Sequence, residues 1–261
     1  MHTRGTAILI IGCLASCGVT PLTNKLRIGE ESYIIAVGEG NDGQTDLYAA
    51  PAGGGSFTRL TFSRPEEALP AISPDGARVA FLRAAGGVKG PPWSVVVLDL
   101  MNYSERVTPL PSDAGDPRRL GWTRDGARVI VSAREYFVTS AAPAPPALTR
   151  WPADSTALAD SLTRQLLGDP PLGMVGECSG GGLCIVARTG EVTPLDSGAR
   201  DAVRWGADSV GYFLPGGFEI RPLAGGSTRR PAWSGAPARL RQLSYYRGPQ
   251  DTTSSGVSGI R

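Results

Sequence analysis

The sequence predicts an all-β protein made of many short strands joined by tight turns. Its 261 residues include 35 glycines and 22 prolines. Together these are about a fifth of the chain, whereas the average for the two types is about 12%. They interrupt nearly every window long enough for a helix, which disfavours a helical bundle. An apolar fraction of 41% against 19% charged residues provides for a large buried core. In addition, one turn motif followed by an alternating apolar strand recurs along the chain.

Residues 1–16 have the features of an export signal. Arg4 precedes an apolar stretch that ends at Ser16 and is too short to span a bilayer as a helix. The sequence Leu14-Ala15-Ser16-Cys17 resembles a bacterial lipobox, which implies cleavage before Cys17 and lipid attachment to its thiol. Cys13 ends a weaker second match. An ordinary cleaved signal peptide with an incidental cysteine is the alternative.

The resemblance to a lipoprotein signal implies a location. We expect residues 17–29 to be a lipidated tether, and the lipid to be the chain's only contact with a membrane. Gly18 follows the cysteine where an aspartate could stand, which by the same resemblance implies the outer membrane of a bacterial cell envelope, facing the periplasm.

The histidine count restricts the chemistry. The only histidine is His2, inside the expected signal, so the mature chain would have neither a Ser-His-Asp triad, a Cys-His dyad nor a histidine-ligated metal. We therefore expect no metal and no cofactor. The formal net charge of +2 and the lack of a basic-aromatic patch give no indication of a nucleic-acid partner.

Two cysteines remain beyond the signal region. Cys178 and Cys184 flank five residues, a spacing that suits a strand-loop-strand closure. An exported chain lies in an oxidising compartment, so the pair is expected to form a disulfide. Two free thiols are the alternative.

The recurring motif occupies residues 69–82, 120–131 and 203–214. In its first copy, proline presets the second position of a type I turn, aspartate tolerates the third and glycine accepts the left-handed fourth. Such a turn joins two antiparallel strands. We assign this structural role, and not calcium binding, to the turn residues of the three copies: Ser73, Pro74, Asp75, Gly76, Asp125, Gly126 and Asp208.

A strand pair follows each turn, and one strand precedes it. The preceding strands are expected at 68–73, 118–123, 171–177, 201–206 and 238–246. The third strand pair is expected at 148–152 and 162–167, although leucines spaced by four also allow a short helix over 154–167. The strand at 32–37 lacks a predecessor and the strand at 238–246 lacks a successor, so the two are expected to pair.

These repeats resemble the TolB-type, WD-repeat-like β-propeller repeat of bacterial envelope proteins. The resemblance covers residues 30–246 and implies four-stranded blades around a central axis. The five candidate first strands then give about five blades, with the C-terminal strand closing the propeller by joining the N-terminal blade. The tail 247–261 is polar and rich in serine and glycine, so it is expected to be disordered.

Binding is expected on the face that carries the longest loops, 38–46, 84–92 and 134–147. Trp93, Tyr136 and Phe137 are the candidate anchors there, although each could instead cap its own blade. The adjacent acids Glu66 and Glu67 could act as acid and base, but a solvated pair is the simpler interpretation.

We expect a monomeric, non-catalytic scaffold that binds an envelope protein or a small ligand, a function argued from the fold. The alternative is a histidine-independent glycoside hydrolase or lyase that uses Asp, Glu or Tyr at the channel mouth. A pair of carboxylates roughly 5–10 Å apart in a central pocket would favour that alternative.

Overall fold

The computed structural model describes residues 22, 25–40, 43–86, 89–142, 148–151, 174–178, 182–186, 191–206 and 208–249. This part of the chain is all-β with almost no helix, and its sheets have a propeller-like arrangement. The expected signal at 1–16, Cys17, and residues 154–167 and 250–261 lie outside the described residues.

Twenty short strands follow one another along the chain. They are β1 Tyr33–Glu39, β2 Thr45–Pro51, β3 Gly54–Ser56, β4 Thr58–Arg59, β5 Glu67–Ile72, β6 Arg78–Ala84, β7 Trp93–Asp99, β8 Glu105–Pro109, β9 Arg119–Trp122, β10 Arg128–Ser132, β11 Tyr136–Ser140, β12 Leu148–Trp151, β13 Met174–Glu177, β14 Leu183–Val186, β15 Val192–Pro194, β16 Arg200–Trp205, β17 Ser209–Leu214, β18 Gly217–Pro222, β19 Ala232–Ser234 and β20 Arg239–Tyr246.

Five antiparallel sheets use most of these strands. In strand order, sheet 1 is β20-β1-β2-β4, sheet 2 is β5-β6-β7-β8, sheet 3 is β9-β10-β11-β12, sheet 4 is β13-β14-β15 and sheet 5 is β16-β17-β18. The short strands β19 and β3 pair in parallel and join the end of sheet 5 to sheet 1. Because successive strands run antiparallel, the turns between strands one and two lie at one end of a sheet, and the loops between strands two and three lie at the other.

The last strand completes the sheet of the first strand. β20 pairs antiparallel with β1, from Tyr33 opposite Tyr246 to Glu39 opposite Arg239. This is the pairing expected from the sequence.

Neighbouring sheets pack through apolar side chains. In β1, Tyr33, Ile35 and Val37 pack against sheet 2, whereas Ile34 packs against sheet 5. The strand is therefore buried on both faces. Comparable clusters join sheet 2 to sheet 3 and sheet 4 to sheet 5. The core is thus a series of inter-sheet layers, as in propellers.

The packed part of the chain extends beyond the expected limits of 30 and 246. Leu22 and Leu26 are buried in the layer between sheets 1 and 2, and the Leu22 amide donates to the Tyr103 hydroxyl at 3.1 Å. At the other end Gly248 is buried, and its amide donates to the Ser32 Oγ at 3.2 Å. These contacts involve residues that the sequence assigns to the tether and to the tail.

Sheets 3 and 4 differ from the predicted strand assignment. The strand expected third in its blade at 148–152 is the fourth strand of sheet 3, β12, because β11 at Tyr136–Ser140 takes the third place. In sheet 4, β14 is the second of three strands. In sheet 5, a single bridge joins Ile220 to Arg229.

The first two repeat turns share one hydrogen-bond pattern. In the first, Ser73 Oγ accepts from the Arg78 amide at 2.9 Å, and Asp75 Oδ1 accepts from the Ala77 amide at 3.1 Å. The second turn repeats both bonds through Thr123 and Asp125. Gly76 and Gly126 have φ values of 69° and 66°, which glycine adopts without strain.

The third repeat turn is shorter than expected. Trp205 pairs directly with Ser209, whereas Trp122, its counterpart in the second repeat, pairs with Val129. The left-handed residue of the third turn is Gly206, with φ of 67°. Asp208 consequently does not occupy the position that Asp75 and Asp125 hold, and its carbonyl accepts from the Leu223 amide at 2.7 Å.

Candidate functional site

A cavity of about 180 Å³ lies where the first strands of several sheets meet. Four strands from four different sheets contribute to it, namely β5, β9, β16 and β20. This is the position of the central channel of a propeller. Its lining residues are Leu69, Pro70, Arg118, Arg119, Leu120, Asp201, Ala202, Gln242 and Leu243.

Three of these strands carry the same irregularity at the cavity. Leu69 in β5, Asp201 in β16 and Gln242 in β20 have φ values of 51°, 50° and 51°. In each strand the pairing register shifts at this point, so each residue belongs to a β-bulge. Left-handed backbone at residues other than glycine is uncommon and stores strain, and it concentrates at functional sites.

Side chains of β20 fix the geometry of β5 beside the cavity. Gln242 Oε1 accepts from the Leu69 amide at 2.8 Å, and Ser244 Oγ accepts from the Ile72 amide at 3.1 Å. A bulge leaves backbone groups without ladder partners, and here neighbouring strands supply those partners. The three bulges thus turn main-chain groups of separate sheets toward one another around a common opening.

Among the described residues that line the cavity, the charged groups are one carboxylate and two arginines. Asp201 is the one carboxylate among the described residues that line it, and it lies 3.4 Å from the Arg200 guanidinium. Arg118 and Arg119 are exposed at the rim. A glycosidase requires two carboxyl groups across the scissile bond, an arrangement that these lining residues do not contain.

Glu66 and Glu67 hold the segment between sheets 1 and 2 in place. Glu66 accepts from the Gly90 amide at 3.1 Å and pairs with the Arg241 guanidinium at 3.2 Å. Glu67 is fully buried and pairs with Arg83 at 2.9 Å. The interpretation of a solvated pair is therefore wrong, because Glu67 is buried and both carboxylates have hydrogen-bond and ion-pair partners within the fold.

Burial controls the protonation of Glu67. Desolvation raises the pKa of its carboxyl above the usual value, although hydrogen bonds from Thr61 and Ser63 and the charge of Arg83 act in the opposite direction. Arg83 also contacts Glu105, at 2.6 Å. The arginine therefore joins a buried acid on β5 to an exposed one on β8, so the group stabilises sheet 2.

The aromatic residues proposed as loop anchors lie on strands. Tyr136 and Phe137 belong to β11, and Phe137 is 1% exposed within the layer between sheets 2 and 3. The loop expected at 134–147 is therefore interrupted by a strand. Trp93 begins β7 and is half-buried against the same layer, and its Nε1 is buried with no hydrogen-bond partner in the described part of the chain.

Phe62 is an exposed aromatic residue at the end of the sheets that carries the β1–β2, β4–β5, β6–β7 and β8–β9 connections, here called the loop end. It lies between β4 and β5, its side chain is 62% exposed, and the Arg59 guanidinium lies 4.6 Å from its ring centroid. The neighbouring carbonyl of Glu66 accepts from the Ala84 amide at 2.9 Å, which places this segment at the same end of sheet 2 as the β6–β7 loop. The signal available in the sequence was a phenylalanine between two polar residues, Thr61 and Ser63.

The predicted disulfide is present. Cys178 follows β13 and Cys184 lies in β14, and they are bonded with a Cα–Cα distance of 5.4 Å. The Cys178 amide also donates to the Gly182 carbonyl at 2.9 Å. The bond therefore closes the β13–β14 hairpin.

The described residues carry neither a metal-ligand cluster nor a membrane-spanning helix. They contain no cluster of three or more histidine, cysteine, aspartate or glutamate side chains arranged to hold a metal ion. Within the same ranges, no helix has the length and apolarity required to cross a membrane.

A comparison with curated proteins finds a relative that is similar in sequence. The chain is 31% identical over 105 residues to the protein TolB homolog of Chlorobium luteolum, a match that covers 39% of this chain and 22% of that protein. The chain thus spans about a fifth of the length of this curated relative. The match confirms the resemblance to TolB-type proteins that the repeats predicted. No family model matches the chain.

Solved propeller structures are more distant. TolB from Acinetobacter baumannii aligns with 14% identity and a TM-score of 0.47, over 83% of this chain and 67% of that chain. The tricorn protease aligns with 15% identity and a TM-score of 0.34, over 80% of this chain and 17% of that chain.

Proposed function

We propose that the protein is a non-catalytic scaffold of the bacterial cell envelope that binds a protein partner through its loop end. The loop end comprises the β1–β2, β4–β5, β6–β7 and β8–β9 connections, and Phe62 is its principal anchor. The observation that carries the proposal is the exposure of this ring, 62%, on a segment held rigid by Glu66 and Glu67. An exposed aromatic side chain on a rigid segment costs little entropy to bind, and such residues dominate interfaces.

The remaining features of the site agree with this function. A cavity with a single carboxylate supports binding in preference to glycoside hydrolysis. The segment at 60–66 and the loop at 85–92 are joined through Glu66, so they would be presented to a partner as one surface. The sequence match to a TolB homolog supports a protein partner and a periplasmic location.

A site-specific photocrosslinker distinguishes a docking surface from inert loops. The crosslinker replaces Phe62 in one variant and Met101 in the other. Met101 is 50% exposed but lies in the β7–β8 turn, at the opposite end of sheet 2. We expect a discrete adduct in native membranes from position 62 and none from position 101. Equal adducts at both positions, or none at either, would rule out the loop end as the docking surface.

We further propose that the five sheets form one closed ring of five blades. The pairing of β20 with β1 and the four inter-sheet layers support four of the five junctions. A closed ring shields the inner edge of each blade and leaves only short outer edges, which limits aggregation through unpaired strands and suits a monomer. The junction between sheets 3 and 4 involves the chain between β12 and β13, most of which is outside the described residues.

The proposed location is the periplasmic side of the outer membrane, with the lipid on Cys17 as the only membrane contact. The lipobox-like sequence at Cys17 supports the anchor, and the Cys178–Cys184 bond supports an oxidising compartment.

A further inference from the structure

A second and larger cavity lies between sheets 5 and 1. Its volume is about 550 Å³, within the usual range of small-molecule sites, about 300–1,000 Å³. It is separate from the central cavity and none of the sequence motifs pointed to it. Its walls combine two kinds of side chain, aromatic rings and arginines.

Four aromatic rings form one wall. Trp233 contacts Phe57 and Phe218 with centroid distances of 5.4 and 5.2 Å, and Phe218 contacts Phe213 at 5.1 Å. The indole Nε1 of Trp233 donates to the Pro51 carbonyl at 2.9 Å, which fixes the orientation of the ring. Trp233 and Phe57 are only partly buried, so apolar surface remains open to a ligand.

Close packing over a glycine fixes the position of Phe218 in this wall. A Cβ on Gly211 would collide with the ring of Phe218 and lie 3.0 Å from Trp205. Only glycine therefore allows Phe218 to lie against β17 in this position. The aromatic surface is thus set in advance of any binding, which reduces the entropy lost when a ligand binds.

The charged side of the cavity has an excess of positive charge. Arg230 donates to Glu219 at 2.9 Å, and Arg200 lies 3.4 Å from Asp201 and 5.4 Å from the Phe213 ring centroid. Arg239 lies opposite Glu39 in the pairing of β20 with β1, but within the ranges that the structure describes its side chain has neither an ion pair nor a hydrogen bond. One guanidinium is therefore available to an incoming anion.

We propose that this cavity binds a small aromatic anion, a carboxylate or sulfonate with a flat apolar body. The body would stack on the wall formed by Trp233 and Phe57, and the anionic group would bind Arg239. The cavity lies near the β1–β2 connection, since Arg239 lies opposite Glu39 at the end of β1. None of the described residues that line it belongs to the four connections of the loop end, so the proposal does not rest on the protein-binding function. It adds a small-molecule ligand to the protein.

Two fluorescent probes that differ in one charge test the proposal. The probes are 8-anilinonaphthalene-1-sulfonate and its neutral analogue N-phenyl-1-naphthylamine, titrated into the purified protein. We expect saturable binding of the sulfonate at least about fivefold tighter than that of the neutral probe. Arg239→Gln should remove this difference while leaving the affinity for the neutral probe unchanged.

Matched variants identify the cavity. Arg119→Gln changes an exposed arginine of the central cavity and should leave both affinities unchanged. Trp233→Leu should weaken both probes, provided that its thermal melt shows a folded protein. Because Arg239 is exposed, its variant should fold and provides the decisive test. Equal affinities for the two probes, no effect of Arg239→Gln, or a loss confined to Arg119→Gln would each overturn the proposal.

Discussion

The ring of Tyr246, in the last strand, lies so close to Gly76, in the first repeat turn, that a Cβ on Gly76 would be 2.5 Å from Cζ of the tyrosine. The Tyr246 hydroxyl donates to the Gly29 carbonyl at 3.1 Å, and the Tyr33 hydroxyl donates to the Gly76 carbonyl. The C-terminal strand is therefore locked against the turn of the next sheet.

Gly76→Ala should destabilise the protein more than Gly126→Ala. Both glycines have left-handed backbone, which costs about 1–2 kcal/mol for alanine. A Cβ on Gly126 would lie 3.3 Å from the flexible end of Arg78 and in ordinary contact with Pro74, at 3.6 Å, whereas one on Gly76 displaces Tyr246. We expect the additional cost to be about 2 kcal/mol, measured by denaturant unfolding. In a Tyr246→Ala background this additional cost should disappear; if it persists, the contact is not its cause.

Glu67→Gln should change the pH dependence of stability in a defined direction. Burial raises the pKa of Glu67 in the folded protein above 4.5. As the pH rises from about 4.5 through the raised pKa, the folded protein must release a proton that the unfolded chain has already lost. The wild type should therefore lose stability relative to the variant over this interval. Thermal melts of both proteins between about pH 4 and 8 measure the difference, and a gap that is constant with pH would contradict the assignment.

The Cys178–Cys184 bond should protect both thiols and add modest stability. The loop that it closes is short, so replacing both cysteines by serine should cost about 2 kcal/mol. Thiol labelling in denaturant, on a chain with Cys13 and Cys17 replaced by serine, should detect no free thiol before reduction and two after it. Two reactive thiols without reductant would show that the bond does not form.

Two C-terminal truncations should differ in their effect on thermal stability. A chain ending at Pro249 retains β20 and the Gly248–Ser32 hydrogen bond, and should melt like the full chain. A chain ending at Ala238 lacks β20, exposes the edge of β1, and should lose several kcal/mol or fail to fold. Equal melting temperatures of the two truncated chains would show that β20 does not hold sheet 1 together, and the five-blade ring would be wrong as well.

Cys17→Ala should release the protein from membranes. Stable retention depends on the acyl chains of a mature lipoprotein, and no other membrane contact is expected. Fractionation after a high-salt wash compares the variant with Cys13→Ala, which should remain in the pellet. Sedimentation of the Cys17→Ala protein with membranes would contradict the anchor.

The sequence was sufficient for features set by local chemistry. The hydrogen bonds of Asp75 and Asp125 follow from turn preferences, and the Cys178–Cys184 bond follows from spacing and compartment. It was insufficient for features set by contacts between distant segments. Burial of Glu67 depends on Arg83, and burial of Leu22 depends on Tyr103.

The bulges were visible in the sequence only as imperfections. Apolar and polar residues alternate irregularly over 239–246, and the bulge at Gln242 explains this because one extra residue reverses the alternation. Pro70 inside an expected strand is the corresponding sign in β5. Asp201 gave no sign, since a left-handed aspartate has no distinct sequence pattern. The common position of the three bulges became evident only from the structure.

The partnership of Tyr33 with Tyr246 also governs when the protein can fold. β1 and β20 are distant from one another in the chain, so β1 keeps an open edge until the segment that carries β20 is present. Contacts between distant segments are slow to form, and a chain that ends before β20 never forms them. Such a chain would keep that edge exposed to proteases. Resistance to proteolysis therefore requires that β20 be both synthesised and paired.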